Sequence, residues 1–252
     1  MIKLRTTFVL YIIVLILVYL FLPWKGIFFI TITLLLLAHI FYCSFNVCSN
    51  AFIKTICKAD TSEKKIALTF DDGPNEFTRE VLNILEKHNI KATFFCIGKN
   101  IEKNKEILTE IDNKGHLTGN HTWSHHKWFD LFSAKKMKED IVKNAELIYQ
   151  QTGKRVKLFR PPYGVTNPTL KKAIAELNYQ TIGWSLRSLD TIKKPEKVTK
   201  KLNQKLSPGD IILLHDNRKE ITQILESFIT FAEENSYQIV RLDKLINIEP
   251  YE

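Results

Sequence analysis

Cysteine is scarce in this chain, with four residues in 252 and no Cys-x-x-Cys pair. That count and spacing exclude a dense disulfide framework and a cysteine-ligated zinc site. Cys43, Cys48 and Cys57 fall in or just after a long apolar stretch, and Cys96 sits in an apolar run. Buried, reduced thiols are therefore expected, with a Cys43–Cys48 pair as the alternative outside the cell. Internal repeats and low-complexity tracts are absent. So is any basic stripe with interleaved aromatics, although the net charge is +9. The excess lysines form short clusters, such as Lys135-Lys136 and Lys193-Lys194. Nucleic acid is thus not an expected partner. Solvated helical faces, or attraction to anionic lipid or wall polymers, account for the charge.

Charge is missing altogether from residues 6–22 and again from 27–45. Each stretch has about the length that crosses a hydrocarbon core of roughly 30 Å. Pro23-Trp24-Lys25-Gly26 between them is a turn signal with residues suited to a membrane interface. Residues 1–45 are accordingly expected to form a hairpin of two transmembrane helices. A secretory signal is the rival for the first stretch, because Lys3 and Arg5 make a basic start. Against it stand the lack of a small-residue cleavage pattern and the immediate second stretch. Neither stretch has a polar face, which argues against a buried soluble helical pair. Basic residues before and after the hairpin (Lys3, Arg5, Lys54, Lys58, Lys64, Lys65) outnumber Lys25 in the turn. The positive-inside rule would place both ends in the cytoplasm.

Residues 46–64 lose the apolar character and read as a connector to a domain at 65–252. From Lys65 onward strands and helices alternate. Strands are expected at 66–70, 92–97, 156–159, 179–184, 210–214 and 238–240. Helices are expected at 78–88, 101–113, from Ser133 to before Gly153, from Asn167-Pro168 to about 177, at 195–206 and 218–234, with a short one from Leu242. Such alternation predicts a parallel sheet with helical crossovers. Asp71, Arg160, Asp190 and His215 each follow a predicted strand, and in a parallel α/β barrel the C-terminal strand ends share one mouth. A doubly wound open sheet is the alternative.

Several residue types in these positions suit a hydrolytic metal centre. Asp71 and Asp72 are adjacent carboxylates re-aimed by a Gly73-Pro74 turn, so they cannot share one role. His121 and His125, four apart, would share one face of a helical turn and could bind a single cation. Imidazole and carboxylate donors suit Zn2+, and also Co2+, Ni2+ or Fe2+. Arg160 is expected to pair with Asp71 and hold it ionised. His116 reads as structural and His126 as solvated.

Thr69-Phe-Asp-Asp-Gly-Pro74, Gly119-Asn-His-Thr-Trp-Ser-His125, Arg160-Pro-Pro-Tyr-Gly164 and Leu213-Leu-His215 together resemble motifs of the polysaccharide deacetylase family. That family is also called the NodB homology domain, or carbohydrate esterase family 4. The likeness covers about residues 65–245. It implies a distorted (β/α) barrel that removes acetyl groups from carbohydrate. It further implies Asp71 as general base and Asp72, His121 and His125 as ligands of a divalent metal, with His215 as general acid oriented by Asp190. The backbone N–H of Tyr163 would bind the oxyanion, and Leu213 would wall the acetyl methyl pocket. Two positions depart from the family pattern: Thr191 stands where a Trp is usual, and Arg187 where many members have an acidic residue.

The expected function is removal of acetyl groups from N-acetylated sugars of peptidoglycan or a chitin-like polymer. An O-acetyl esterase on acetylated glycans, and a silent membrane-held carbohydrate-binding module, are the alternatives. The partners implied are an acetylated polysaccharide and the membrane. Such a substrate would put the domain outside the cell, contrary to the positive-inside reading.

Overall fold

The computed structural model describes residues 4–21 and 25–252, so the turn expected at Pro23-Trp24 lies outside the described residues. Helices α1 (Leu4–Phe21) and α2 (Lys25–Phe45) come first, then strands β1 (Thr55–Ile56) and β2 (Lys65–Asp71). Next are α3 (Glu76–Lys87), β3 (Thr93–Cys96), α4 (Gly98–Lys103), α5 (Lys105–Asn113) and β4 (Leu117–Asn120). α6 (Ala134–Thr152), β5 (Leu158–Phe159), α7 (Pro168–Ile174), β6 (Gln180–Ile182) and β7 (Leu186–Arg187) follow. The chain finishes with α8 (Pro195–Lys205), β8 (Ile211–His215), α9 (Ile221–Glu234), β9 (Gln238–Ile239) and α10 (Leu242–Ile246).

The strands run in the order β1-β6-β5-β4-β3-β2-β8-β7, with β9 pairing the start of β2, and all these pairings are parallel. The sheet curls into a half-barrel. β2 lies in the middle and is buried on both faces after its first residue, as a covered parallel strand must be.

Strand parity decides what enters the half-barrel. Ala67, Phe95, Leu117, Leu158, Ile182 and Ile211 form an inner core that α10 caps through Leu242. Their neighbours Ile66, Leu68, Phe70, Phe94, Ile212 and Leu214 face outward against α3, α5, α8 and α9. Side chains alternate with a period of two. Continuing the inner row from Ala67 leads to Thr69 and Asp71, from Leu158 to Arg160, and from Ile211 to Leu213 and His215. The register places Asp71 beside His215 and Thr69 beside Leu213.

Local signals set most helix ends. Asn75 and Thr78 form a capping box at α3. Ser133 caps α6, which ends on Gly153 at φ 68°. Asn167 caps α7 by accepting from the Leu170 N–H at 2.7 Å. The helix expected over 101–113 is divided at Asn104 into α4 and α5. α7 stops at Ile174 rather than near 177. β4 and β7 had no counterpart in the sequence reading, since Leu117–Asn120 is half polar and Leu186–Arg187 is only two residues long.

The cysteine expectation is corrected. Cys48 pairs with Cys57, with Cα atoms 5.9 Å apart, while Cys43 and Cys96 are free and buried. The segment between the bonded pair doubles back through Asn50, which has φ 54° and accepts from the Thr55 N–H at 2.6 Å. A reversal held by one left-handed asparagine is not visible from cysteine spacing. The same segment, within the expected connector, contributes β1 to the sheet edge beside β6.

α1 and α2 lie side by side, with the Tyr11 hydroxyl 3.1 Å from Thr33 Oγ1. Among the described residues one helix, Gly26–Phe45, is long and apolar enough to cross a membrane, and Thr6–Leu20 is a shorter apolar helix. The end of α2 is docked on the domain. Cys43 packs with Phe52, Phe129, Met137 and Phe159, and the Thr166 N–H donates to Ser44 O at 2.9 Å.

Candidate metal centre and hydrolytic cleft

The C-terminal strand ends open into a cleft of about 170 Å³ lined by Asp71, Asp72, His121, His125, Tyr163, Leu213 and His215, among others. Arg160 lies beneath it, fully buried. Asp190 reaches it through His215. The fold therefore gathers every site residue expected from the sequence around one cavity, although they derive from five separate segments.

Asp71 ends β2 on the inner row, and Asp72 turns away by taking φ 76°. This left-handed residue, rather than strand alternation, separates the two carboxylates. Gly73 follows where nothing larger fits, because a Cβ there would lie 2.4 Å from Asp216 Oδ2. Asp216 is itself buried and accepts from Thr78 Oγ1 at 2.6 Å. Burial raises its pKa to about 7 against the lowering effect of that hydrogen bond.

The two histidines do not share a helical turn, as their spacing had suggested. Residues 121–125 form a loop in which Thr122 has φ 65° and His125 φ 41°. That loop is held by Asp140, whose Oδ1 accepts from the Trp123 and Ser124 N–H groups at 2.8 and 3.0 Å. Asn120 Oδ1 accepts from the Thr122 N–H at 2.9 Å. The imidazole rings end 4.8 Å apart between centroids. Proximity comes from side-chain capping of a loop, not from helix periodicity.

Asp72, His121 and His125 present ligand atoms that all lie within 4.8 Å of one another. Asp72 Oδ1 is 3.8 Å from His121 Nε2 and 3.7 Å from His125 Nε2. Ligands around a tetrahedral zinc sit about 3.3 Å apart, so each of the two Asp72–imidazole distances exceeds that spacing by about half an ångström. His121 Nδ1 is 2.7 Å from the Arg160 carbonyl oxygen and must donate to it, which aims Nε2 at Asp72. Burial, then the His121 charge, push His125 down to about 3, so its ring is neutral at ordinary pH. Neutral imidazoles and a carboxylate are donors that fit a divalent cation. Asn217 Nδ2 donates to Asp72 Oδ2 at 3.0 Å, a contact from the residue two after His215 that the sequence reading missed.

Asp71 and Arg160 form a buried pair, with Nη1 2.7 Å from Oδ1. Burial opposes ionisation of Asp71. The Arg160 charge, then those of His121 and His215, and the Arg160 hydrogen bond overcome this and hold its pKa below the usual carboxylate range. The guanidinium also donates to Thr69 Oγ1 at 2.8 Å, Ile182 O at 3.2 Å and Gly183 O at 2.7 Å. Its orientation is fixed on every side.

His215 and Asp190 form a second pair: Nδ1 lies 2.8 Å from Oδ1, and the His215 N–H donates to Oδ2 at 2.7 Å. Ser188 Oγ donates to Asp190 Oδ1 at 2.8 Å. Burial disfavours the imidazolium, but the Asp190 hydrogen bond and charge, with Asp71 and Asp72, raise its pKa to about 9. The cleft thus pairs a carboxylate kept ionised with a histidine kept protonated. Tyr163 has φ 58°, and its half-exposed ring lies 4.7 Å from that of His125. Leu213, 2% exposed, forms an apolar wall. Thr191 and Arg187 also line the cleft. His116 is buried and accepts the Ala92 N–H at 3.0 Å, and His126 is exposed.

A family model described as polysaccharide deacetylase matches residues 58–182. The peptidoglycan-N-acetylmuramic acid deacetylase PdaA of Bacillus subtilis is 32% identical over 193 residues, covering 74% of this chain and 73% of that protein. The peptidoglycan-N-acetylglucosamine deacetylase PgdA of Listeria monocytogenes is 34% identical over 199 residues, which are 78% of this chain but only 42% of that protein. The crystal structure of the Bc1960 peptidoglycan N-acetylglucosamine deacetylase superposes with a TM-score of 0.74 at 29% identity, covering 79% of this chain and 95% of that one. The chain belongs to the polysaccharide deacetylase family.

Proposed function

We propose that this chain is a metal-dependent deacetylase that hydrolyses the N-acetyl groups of a sugar polymer, with peptidoglycan as the first candidate. One observation carries the reading: the Asp71–Arg160 and His215–Asp190 pairs flank an Asp-His-His donor set in a single cleft. The relatives named above supply the substrate class. Asp72, His121 and His125 would hold the cation, which supplies Lewis acidity to a water and to the acetyl carbonyl. Zinc suits these donors, and cobalt, nickel and iron are the other candidates.

Asp71, ionised beside Arg160, takes a proton from the attacking water. The Tyr163 N–H donates to the oxygen that becomes negative on the former carbonyl. His215 then gives its proton to the departing sugar nitrogen. An amine is a poor leaving group until protonated, so a histidine held charged by Asp190 favours N- over O-deacetylation. Leu213 packs against the acetyl methyl.

The catalytic domain is taken as residues 65–252, anchored by α2 as a membrane span with α1 beside it, and facing outside the cell. The Cys48–Cys57 bond supports that side, because disulfides persist in oxidising compartments. Acetate release should be measured from N-acetylated chito-oligosaccharides, peptidoglycan fragments and O-acetylated xylan, with chelator and with zinc or cobalt restored. Release from the N-acetylated substrates only when metal is present supports the reading. Absence of release from all three with metal restored would overturn it.

A further inference from the structure

A second groove, of about 770 Å³, lies where the end of α2 meets the domain. Phe41 and Phe45 form part of its apolar wall and are more than half exposed. Arg187, Lys201 and Lys205 also line it, and no acidic residue does so among the described residues. Among the described residues none of these three cations forms an ion pair within 4.0 Å. The Arg187 guanidinium lies 5.8 Å from the Trp184 ring, and the Lys201 ammonium donates to the Arg187 carbonyl oxygen. Burial, then the neighbouring charges of Lys193, Lys205 and Arg187, depress the Lys201 pKa. Three unneutralised cations grouped beside exposed aromatic rings leave both an electrostatic and an apolar need unmet.

We infer that this groove binds the headgroup of an anionic phospholipid from the membrane that α2 enters. Phe45 is the last residue of the apolar segment Gly26–Phe45, so a groove bounded by it lies where that segment ends. At that level lipid phosphates stand beside acyl chains. A phosphodiester would meet Arg187, Lys201 and Lys205, while its chains lie along Phe41 and Phe45. Basic side chains near a membrane surface are attracted to anionic lipid in this way. Trp184 and Arg187 line the hydrolytic cleft as well as the groove, so the bound lipid would hold the cleft close to the bilayer surface. Arg187, one of the two departures from the family pattern, thereby gains a role.

The site rests on the reading of α2 as a membrane span, and the two are tested separately. Flotation of the full chain with phosphatidylcholine vesicles tests the span. The site is tested on the full chain in neutral detergent by titration with dihexanoyl-phosphatidylglycerol, dihexanoyl-phosphatidylcholine or inorganic phosphate, read by native mass spectrometry. The site predicts saturable phosphatidylglycerol binding that exceeds phosphatidylcholine binding and weakens with salt. Lys201→Ala and Lys205→Ala should each weaken it about fivefold, and the double variant about 25-fold, with unchanged circular dichroism and unchanged acetate release from soluble substrate. Equal binding of the two lipids overturns the site. So does binding of inorganic phosphate as tight as that of the anionic lipid, or undiminished lipid binding by the double variant.

Discussion

Arg160 Nη1 stands 2.7 Å from Asp71 Oδ1, with the arginine side chain wholly buried and the aspartate side chain 5% exposed. Removing one member of such a pair strands the other charge away from water. Asp71→Asn should lower unfolding free energy by about 3–5 kcal/mol and acetate release by about 10²–10⁴-fold. Arg160→Ala should destabilise similarly. Urea melts and acetate assays check both, and Asp71→Asn retaining full activity would refute the role of base.

The pH profile tests His215. Its pKa in the fold, about 9, lies above the ordinary value of 6.5. Protonation therefore stabilises the fold fully below about pH 6.5, and the gain disappears as pH rises through about 9. Activity that needs the imidazolium should hold to about pH 9 and fall beyond it. Asp190→Asn should move that alkaline limit down toward about 6.5, the unperturbed histidine value. A limit that stays in place would show that Asp190 does not set it.

Metal content provides a test without turnover. The chain purified with zinc should carry about one equivalent, read by plasma mass spectrometry, as expected for one three-residue donor set. His121→Ala or His125→Ala should leave far less than one equivalent after dialysis, while His126→Ala should retain it. Full occupancy in both ligand variants would place the metal elsewhere.

His116 gives a stability effect with no bearing on the chemistry. Burial, then the charges of Lys91 and Lys114, lower its pKa to about 4. The folded state resists a proton that the unfolded chain accepts, so stability falls as pH drops from about 6.5 toward 4. Between pH 7 and pH 5 the loss is about 2 kcal/mol. His116→Asn keeps an acceptor for the Ala92 N–H and should lose that pH dependence while activity is unchanged. Identical pH slopes for the variant and the parent chain would refute this account.

Much of the architecture was legible because it rests on local rules. Apolar runs at 66–70 and 210–214, the caps at Ser133 and Asn167, and Gly153 at a helix end all act within a few residues. β4, β7 and the Cys48–Cys57 bond were not legible, because short or polar segments acquire their state from partners far along the chain. The residues around the cleft could be named from motif chemistry. Asn217 and Asp140 could not, since their hydrogen bonds to Asp72 and the 121–125 loop join segments far apart in sequence.

Residue order alone settled which side chains share a face, because alternation along β2, β5 and β8 sends Asp71, Arg160 and His215 inward with the apolar inner row. It also settled family membership, through motifs whose order survives in the chain. Three-dimensional packing decided the rest. Left-handed backbone at Asp72, Thr122 and His125 aims the donors, and capping by Asp140 and Asn120 holds two of them. Such conformations carry a local cost, so they persist only where distant groups hold them in place.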